Sequence, residues 1–272
     1  MSKLPAYDRI RQLTAIGIAL TSQRDPQKLL EMILSSARDI TDADAGTLYL
    51  MTPDGQALQF AIVQNDSLDV KLGDATDGAD GADASAQVAL YCPDGRPDLR
   101  TVVACAVLQR ATINVVDAYD ESAFDFSGTR HFDSKTGYRS TSFLTVPLCD
   151  HDDEVLGVLQ LINKLDRDKQ PVAFDDADQE IVESLASQAA IALSNQRLIT
   201  GMRDLFEGLT RVIATAIDAK SPQTGAHCRR VPEAALTLAR AASGSGFPGL
   251  EGFVMSDDDM YQLEIAAWLH DC

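Results

Sequence analysis

Hydrophobic residues recur at helical and strand periods along most of the chain, and each change of period marks a new element. Ile10, Leu13, Gly17 and Leu20, three and four apart, predict a first amphipathic helix. Asp25-Pro26 predicts the cap and first turn of a second, with Leu29, Leu30, Ile33, Leu34, Ala37 and Ile40 on one face. Residues 48–51 and 58–63, joined by the turn Thr52-Pro53-Asp54-Gly55, predict a hairpin. Apolar stretches at 88–91, 111–116, 142–148 and 156–162 predict further strands, and residues 98–109 a helix. After Asn163-Lys164 and a loop with Pro171, Asp175 stands as a cap for another helix, with Asp176, Asp178 and Glu180 in its first turn. No proline follows until Pro222, so the pattern predicts one helix of more than forty residues. Leu198, Met202, Leu205, Leu209, Val212 and Ala216, alternately four and three apart, predict a coiled-coil seam on it, widened by Ile199, Phe206, Ile213 and Ile217.

About six strands with flanking helices make an α+β domain near residues 10–198. The expected organisation is an N-terminal dimerisation helix at 1–22, a sheet domain at 23–198, a connector helix at 199–220, and a separate segment at 221–272. Residues 73–83 interrupt the pattern. Their low complexity, with Asp74, Asp77, Asp80 and Asp83, gives neither the spacing nor the closing Glu of a calcium loop, and predicts a solvated loop.

Composition narrows the function. With 41 acidic and 23 basic residues the formal charge is −18, which disfavours nucleic acid and anionic membrane surfaces as partners. No apolar run approaches a membrane span and no leader precedes the first helix, so the expected location is cytoplasmic. The five cysteines are scattered, without metal-like spacing, and fit reduced thiols. No nucleophile-base pattern and no Gly-rich phosphate loop is present in the sheet domain.

Asn163-Lys164, Phe174 and Asp178-Gln179 resemble the NK…F…DE signature of GAF domains that bind cyclic nucleotides in phosphodiesterases and some adenylyl cyclases. Gln179 stands where that signature has Glu. Residues 132–139 and 143–148 are also similar to those domains, as is the order helix, helix, antiparallel hairpin at the start. The resemblance implies a GAF fold, an antiparallel sheet flanked by helices. It implies a cyclic nucleotide, cyclic AMP or cyclic GMP, as ligand. Asn163, Lys164, Phe174 and Asp178 would lie at pocket and lid, Lys164 and Asp178 bracing it as an ion pair. The slot would lie near residues 98–109 and 117–139, with phosphate donors from a helix N-terminus.

Residues 219–231, with Thr224-Gly225-Ala226-His227-Cys228-Arg229-Arg230-Val231, resemble the opening of HD-GYP domains, metal-dependent phosphodiesterases acting on cyclic di-GMP. Ala266-Ala267-Trp268-Leu269-His270-Asp271 resembles the helix that carries their His-Asp doublet. By that resemblance His227, His270 and Asp271 are ligands of a divalent metal pair, which suits imidazole and carboxylate chemistry. Three ligands do not build a two-metal centre, so no catalytic set is complete in this chain and the fragment is expected to be inactive. Pro232, shortly after His227, is expected to start a new helix or kink the old one.

The expected protein is a cytoplasmic homodimer, paired through its N-terminal and connector helices. Its GAF domain would bind a small ligand and regulate an HD-type phosphohydrolase, a cyclic di-GMP phosphodiesterase. The alternative is a ligand-free GAF dimerisation scaffold for the same output domain.

Overall fold

A computed structural model describes residues 6–72, 87–220 and 227–270, with side chains at 11–71, 87–216 and 230–270. The segment at 73–86, with the aspartate-rich loop, lies outside the described residues, as do Asp271 and the side chain of His227. The chain divides into two compact units, Met1–Gln196 and Arg197–Cys272.

The first unit is built on an eight-stranded antiparallel sheet: β1 (Ala43–Met51), β2 (Ala57–Asn65), β3 (Val70–Leu72), β4 (Gln87–Ala89), β5 (Ile113–Val115), β6 (Phe143–Cys149), β7 (Val155–Leu165) and β8 (Pro171–Val172). The main path runs β3-β2-β1-β7-β6-β5, with β4 on β2 and β8 on β7. Eight strands replace the six expected, because β3 and β8 are three- and two-residue pieces too short to show a period.

Helices α1 (Ala6–Ser22) and α2 (Pro26–Thr41) cover one face together with the first part of α5 (Asp176–Lys220). Asp25 caps α2 as its residue type predicts, accepting from the amides of Gln27 and Lys28. Alternation along β6 sends Leu144, Val146 and Leu148 into this core, where they meet Ile33, Leu34, Val182 and Leu185. Leu13 and Leu20, expected at a dimer contact, belong to the same core: Leu20 is buried and Leu13 packs against it. Leu20 is thereby spent within its own unit, while Leu13 is only partly buried and Ile18 of the same helix is exposed.

Helix α3 (Val102–Gln109) lies on the opposite face, where Val103, Ala104 and Val107 pack on Tyr49, Leu58 and Val158. Beside it Phe126 and Phe143 stack with ring centroids 5.2 Å apart, over Val115 and Ala118. Helix α4 (Ser127–Thr136) follows, closed by Gly137 at φ 74°, a left-handed conformation that glycine adopts without cost. Gly157 serves close approach: a Cβ there would stand 2.2 Å from the carbonyl oxygen of Tyr49 on the neighbouring strand.

The second unit contains the rest of α5 with α6 (His227–Ala242) and α7 (Asp257–Trp268). Pro232 lies inside α6, which continues through it, so the expected restart of the helix does not occur. Ser256 and Asp259 form a capping box at the start of α7. Arg203 pairs with Asp258 at 3.0 Å and lies over Tyr261, and Arg211 reaches Glu264 at 3.5 Å and Trp268. Both sequence numbers rise together, so α7 runs parallel to this part of α5. Among the described residues no helix is long and apolar enough to cross a membrane.

Candidate functional site

The residues singled out in the sequence meet where β7 ends and α5 begins. Asn163 interrupts β7 at φ 55°, a left-handed conformation that asparagine tolerates better than most residues. Its side chain, 2% exposed, turns inward. The Asn163 Oδ1 accepts from the amides of Thr141 at 2.7 Å and Ser142 at 3.3 Å. Its Nδ2 donates to the Tyr138 hydroxyl at 2.9 Å and the Arg139 carbonyl at 2.7 Å. Asn163 thus ties the loop after α4 to β7 from inside the fold.

Lys164 points to the start of α5. Its Nζ pairs with the carboxylate of Asp178, which is 2% exposed, and lies 3.6 Å from that of Asp175. Asp175 and Asp178 also exchange bonds in the manner of a capping box: the Asp178 amide donates to Asp175 at 3.0 Å, and the Asp175 amide to Asp178 at 2.9 Å. Phe174 is buried in the helical-face core, and its carbonyl accepts from the Asn114 side chain at 3.1 Å. The Ser142 hydroxyl donates to the Val172 carbonyl at 2.8 Å. Side chains from β5, from the residue before β6, and from β7 therefore fix the first turn of α5 to the sheet. The structure brings Asn163, Lys164, Phe174 and Asp178 to one place, with Gln179 turned outward to Glu183 at 2.9 Å.

A second polar group, without an assigned role in the sequence reading, adjoins this one. Asp133, the one buried residue of α4, accepts from the Tyr119 hydroxyl at 2.7 Å and from the amide and hydroxyl of Ser140, both at 2.8 Å. Tyr138 donates to Asp44 at 2.7 Å, and Asp44 also accepts from Ser67 at 2.9 Å. Buried Arg38 holds the Asp44 carbonyl at 2.9 Å, Gln64 at 3.0 Å and Asp66 at 2.7 Å. Above Asp133 the Arg139 guanidinium lies 4.0 Å from the centre of the Tyr119 ring. The signal for Asp44 was present in the sequence as a carboxylate between Ala43 and Ala45, at the head of an apolar strand.

On the α3 face, Gln160 donates to Thr145 at 3.1 Å and lies 3.4 Å from the Tyr49 hydroxyl, all three buried. The slot expected near residues 98–109 is occupied there by α3 itself, packed directly on the sheet. At the N-terminus of α4 Phe126 offers no side-chain bond, but the Asp125 carboxylate accepts from the Ser127 amide at 2.8 Å, and a Cβ on Gly128 would meet open space. A cavity of about 550 Å³ opens elsewhere, at the C-terminal end of α2 and the turn before β8. Five aspartates with Arg38, Arg167 and Lys169 line it, and only Ala43 and Leu165 are apolar, so its chemistry does not suit a purine.

Burial pushes the phenols of Tyr49 and Tyr138 above their usual value near 10, and the bond to Asp44 adds to the shift at Tyr138. At Tyr119 the bond to Asp133 raises it, with burial second. The folded chain keeps these protons where the unfolded chain releases them, so stability falls as pH rises above about 10. Tyr138→Phe is expected to flatten the loss of thermal stability between pH 10 and 12. An unchanged slope would show that Tyr138 ionises as freely as in the unfolded chain.

Of the residues expected to hold metal, only His270 has a described side chain. It is exposed, with Nδ1 2.7 Å from the Ala267 carbonyl. No group of three or more metal-ligating side chains occurs among the described residues. Two imidazoles and one carboxylate are too few for the two-metal centre that the resemblance implies, and no catalytic step is assigned to them.

Sheet order, two covered faces and the pinned start of α5 define an α+β domain of the GAF type. The GAF domain family matches residues 25–193, more than half of the chain, and the chain belongs to that family. A cGMP-specific 3',5'-cyclic phosphodiesterase from Drosophila sechellia is 29% identical over 185 residues, covering 66% of this chain and 14% of that protein. The corresponding protein from Drosophila erecta is 28% identical over 187 residues, covering 66% and 15%. The chain thus spans a small part of the length of these relatives. Among solved structures, the GAF domain of a phosphoenolpyruvate-protein phosphotransferase from Coxiella burnetii superposes with a TM-score of 0.53 at 14% identity, over 72% of this chain and 99% of that one. The equivalent domain from Acinetobacter gives 0.51 at 16% identity, over 71% and 98%. These two show the fold alone.

Proposed function

We propose that the GAF domain binds a cyclic mononucleotide, cyclic AMP or cyclic GMP, and passes the bound state along α5 to a C-terminal HD-type phosphohydrolase. The observation that carries this reading is the Lys164–Asp178 pair, which joins the end of β7 to the first turn of the helix that leads out of the domain. Similarity to cGMP-specific phosphodiesterases over 66% of this chain supports the ligand class. The N-terminus of α4 would offer its amides to a cyclic phosphate once the Asp125 carboxylate, which accepts from the Ser127 amide at 2.8 Å, turns away. The aromatic cluster beneath it, Phe126 with Phe143, is a fitting neighbour for a base.

The organisation proposed is the GAF sensor at 23–198, the connector at 199–220 and the start of an HD or HD-GYP domain at 221–272. The complete parent would be a cytoplasmic cyclic di-GMP phosphodiesterase with a divalent metal pair, His227, His270 and Asp271 among its ligands. Homodimerisation would run through the connector, aided by the N-terminal helix, where Leu20 is buried in its own core and Ile18 is exposed. Isothermal titration calorimetry of the purified chain with each nucleotide tests the reading. Saturable heat at micromolar concentration with one of them is expected. No heat and no thermal shift with either at millimolar concentration would leave a ligand-free dimerisation scaffold in its place.

A further inference from the structure

We infer that α5 pairs with α5 of a second copy in one parallel register, set by bulky side chains on each helix that seat in small-residue notches on the other. The inference deepens the proposed dimer and rests on it. Four observations lead to it.

The apolar stripe of α5 is bare. Leu205 is 76% exposed, and Leu198, Met202, Leu209 and Val212 are exposed with it. A continuous apolar face of this length on a protein surface marks a contact site. The chain already covers the other side of the helix, where Thr210 and Ala214 are buried and Arg203 and Arg211 engage α7. The usual arrangement is reversed: the helix gives its polar side to its own unit and keeps its apolar side outward.

The stripe has unlike borders. Along one run Ile199, Phe206 and Ile213, seven apart and exposed. Along the other, also seven apart, run Ser194, Gly201 and Gly208. A Cβ on Gly201 or Gly208 would meet nothing within 4 Å, so no packing within the protomer calls for glycine at either place. Glycine within a helix is unfavourable relative to alanine, and two in succession at this spacing need a reason outside the protomer.

Heptad geometry supplies the reason. With Leu198, Leu205 and Val212 at d and Met202 and Leu209 at a, the bulky border falls at e and the small border at g. In a parallel pair each g residue faces the e residue five positions further along the partner. Ser194 then meets Ile199, Gly201 meets Phe206, and Gly208 meets Ile213 of the second copy. In an antiparallel pair e faces e and g faces g, which sets bulk against bulk and leaves the glycines lining an empty groove. The pattern therefore selects the parallel pair and fixes its register.

Two variants of the full chain test this. Gly201→Leu with Gly208→Leu fills the notches while raising helix propensity, so circular dichroism should show the fold retained. Phe206→Ala with Ile213→Ala trims the knobs. Each alone is expected to raise the dimer dissociation constant about ten-fold or more in sedimentation experiments. Mixed, the two are expected to form heterodimers above the statistical half in native mass spectrometry, because one border of the mixed pair regains its fit. A wild-type monomer, or an unchanged dimer in Leu205→Asp with Leu209→Asp, would overturn pairing through α5 altogether. A wild-type dimer whose filled variant keeps the same affinity, with statistical mixing, would overturn the register alone.

Discussion

Asn163→Ala is expected to destabilise the sensor domain by about 4 kcal/mol, the largest effect of any single polar substitution in the site. The side chain makes four hydrogen bonds within 3.3 Å in a nearly solvent-free place. Its loss strands two amides and a carbonyl, and alanine must also hold the left-handed backbone at φ 55°. In a domain of this size such a loss lowers the melting temperature by about 8–16 °C. Asn163→Gly separates the contributions, since it relieves the backbone and keeps the stranded groups, and should recover about 1 kcal/mol. Near-wild-type melting of Asn163→Ala by calorimetry or denaturant titration would show that the loop after α4 does not depend on this anchor.

The second large effect concerns the pair at the head of α5. Lys164→Ala leaves the Asp178 carboxylate buried with only the Asp175 amide as a donor. Asp178→Ala leaves Lys164, a partly exposed group, with Asp175 still 3.6 Å away. The lysine substitution is therefore expected to cost more, about 3 kcal/mol against about 2. The double substitution should cost close to 3 instead of their sum, because the two act as a unit. Nucleotide affinity should follow the same pattern: each single variant weakens binding, and the double variant is little worse. Additive losses in a double-mutant cycle would mean that the two side chains work separately.

Much of this could be read from the sequence where apolar periodicity and capping chemistry agreed. Helix α2 follows from Asp25-Pro26 and its leucine face, and the length of α5 from the absence of proline between Asp175 and Pro222. Helix α4 could not be found that way. Its sequence has one buried residue, the charged Asp133, and bonds from Tyr119 and Ser140 hold it in place where periodicity has nothing to report. The strand β8 is two residues long and exists because Lys164 and Leu165 offer Val172 and Pro171 an edge to pair with. Leu13 and Leu20 show the converse limit: their spacing declares an apolar face without saying which surface it meets. The family motif led to Asn163, Lys164, Phe174 and Asp178. The neighbouring network of Asp44, Asp133 and Tyr138 consists of single polar residues whose partners are distant in sequence.

Native mass spectrometry of the intact chain with cyclic AMP or cyclic GMP bears most directly on the reading as a nucleotide sensor. The account predicts a dimer that gains one nucleotide mass per GAF domain with one of the two, and that fails to gain it in Lys164→Ala with Asp178→Ala. A dimer that gains no mass from either nucleotide at millimolar concentration would contradict it.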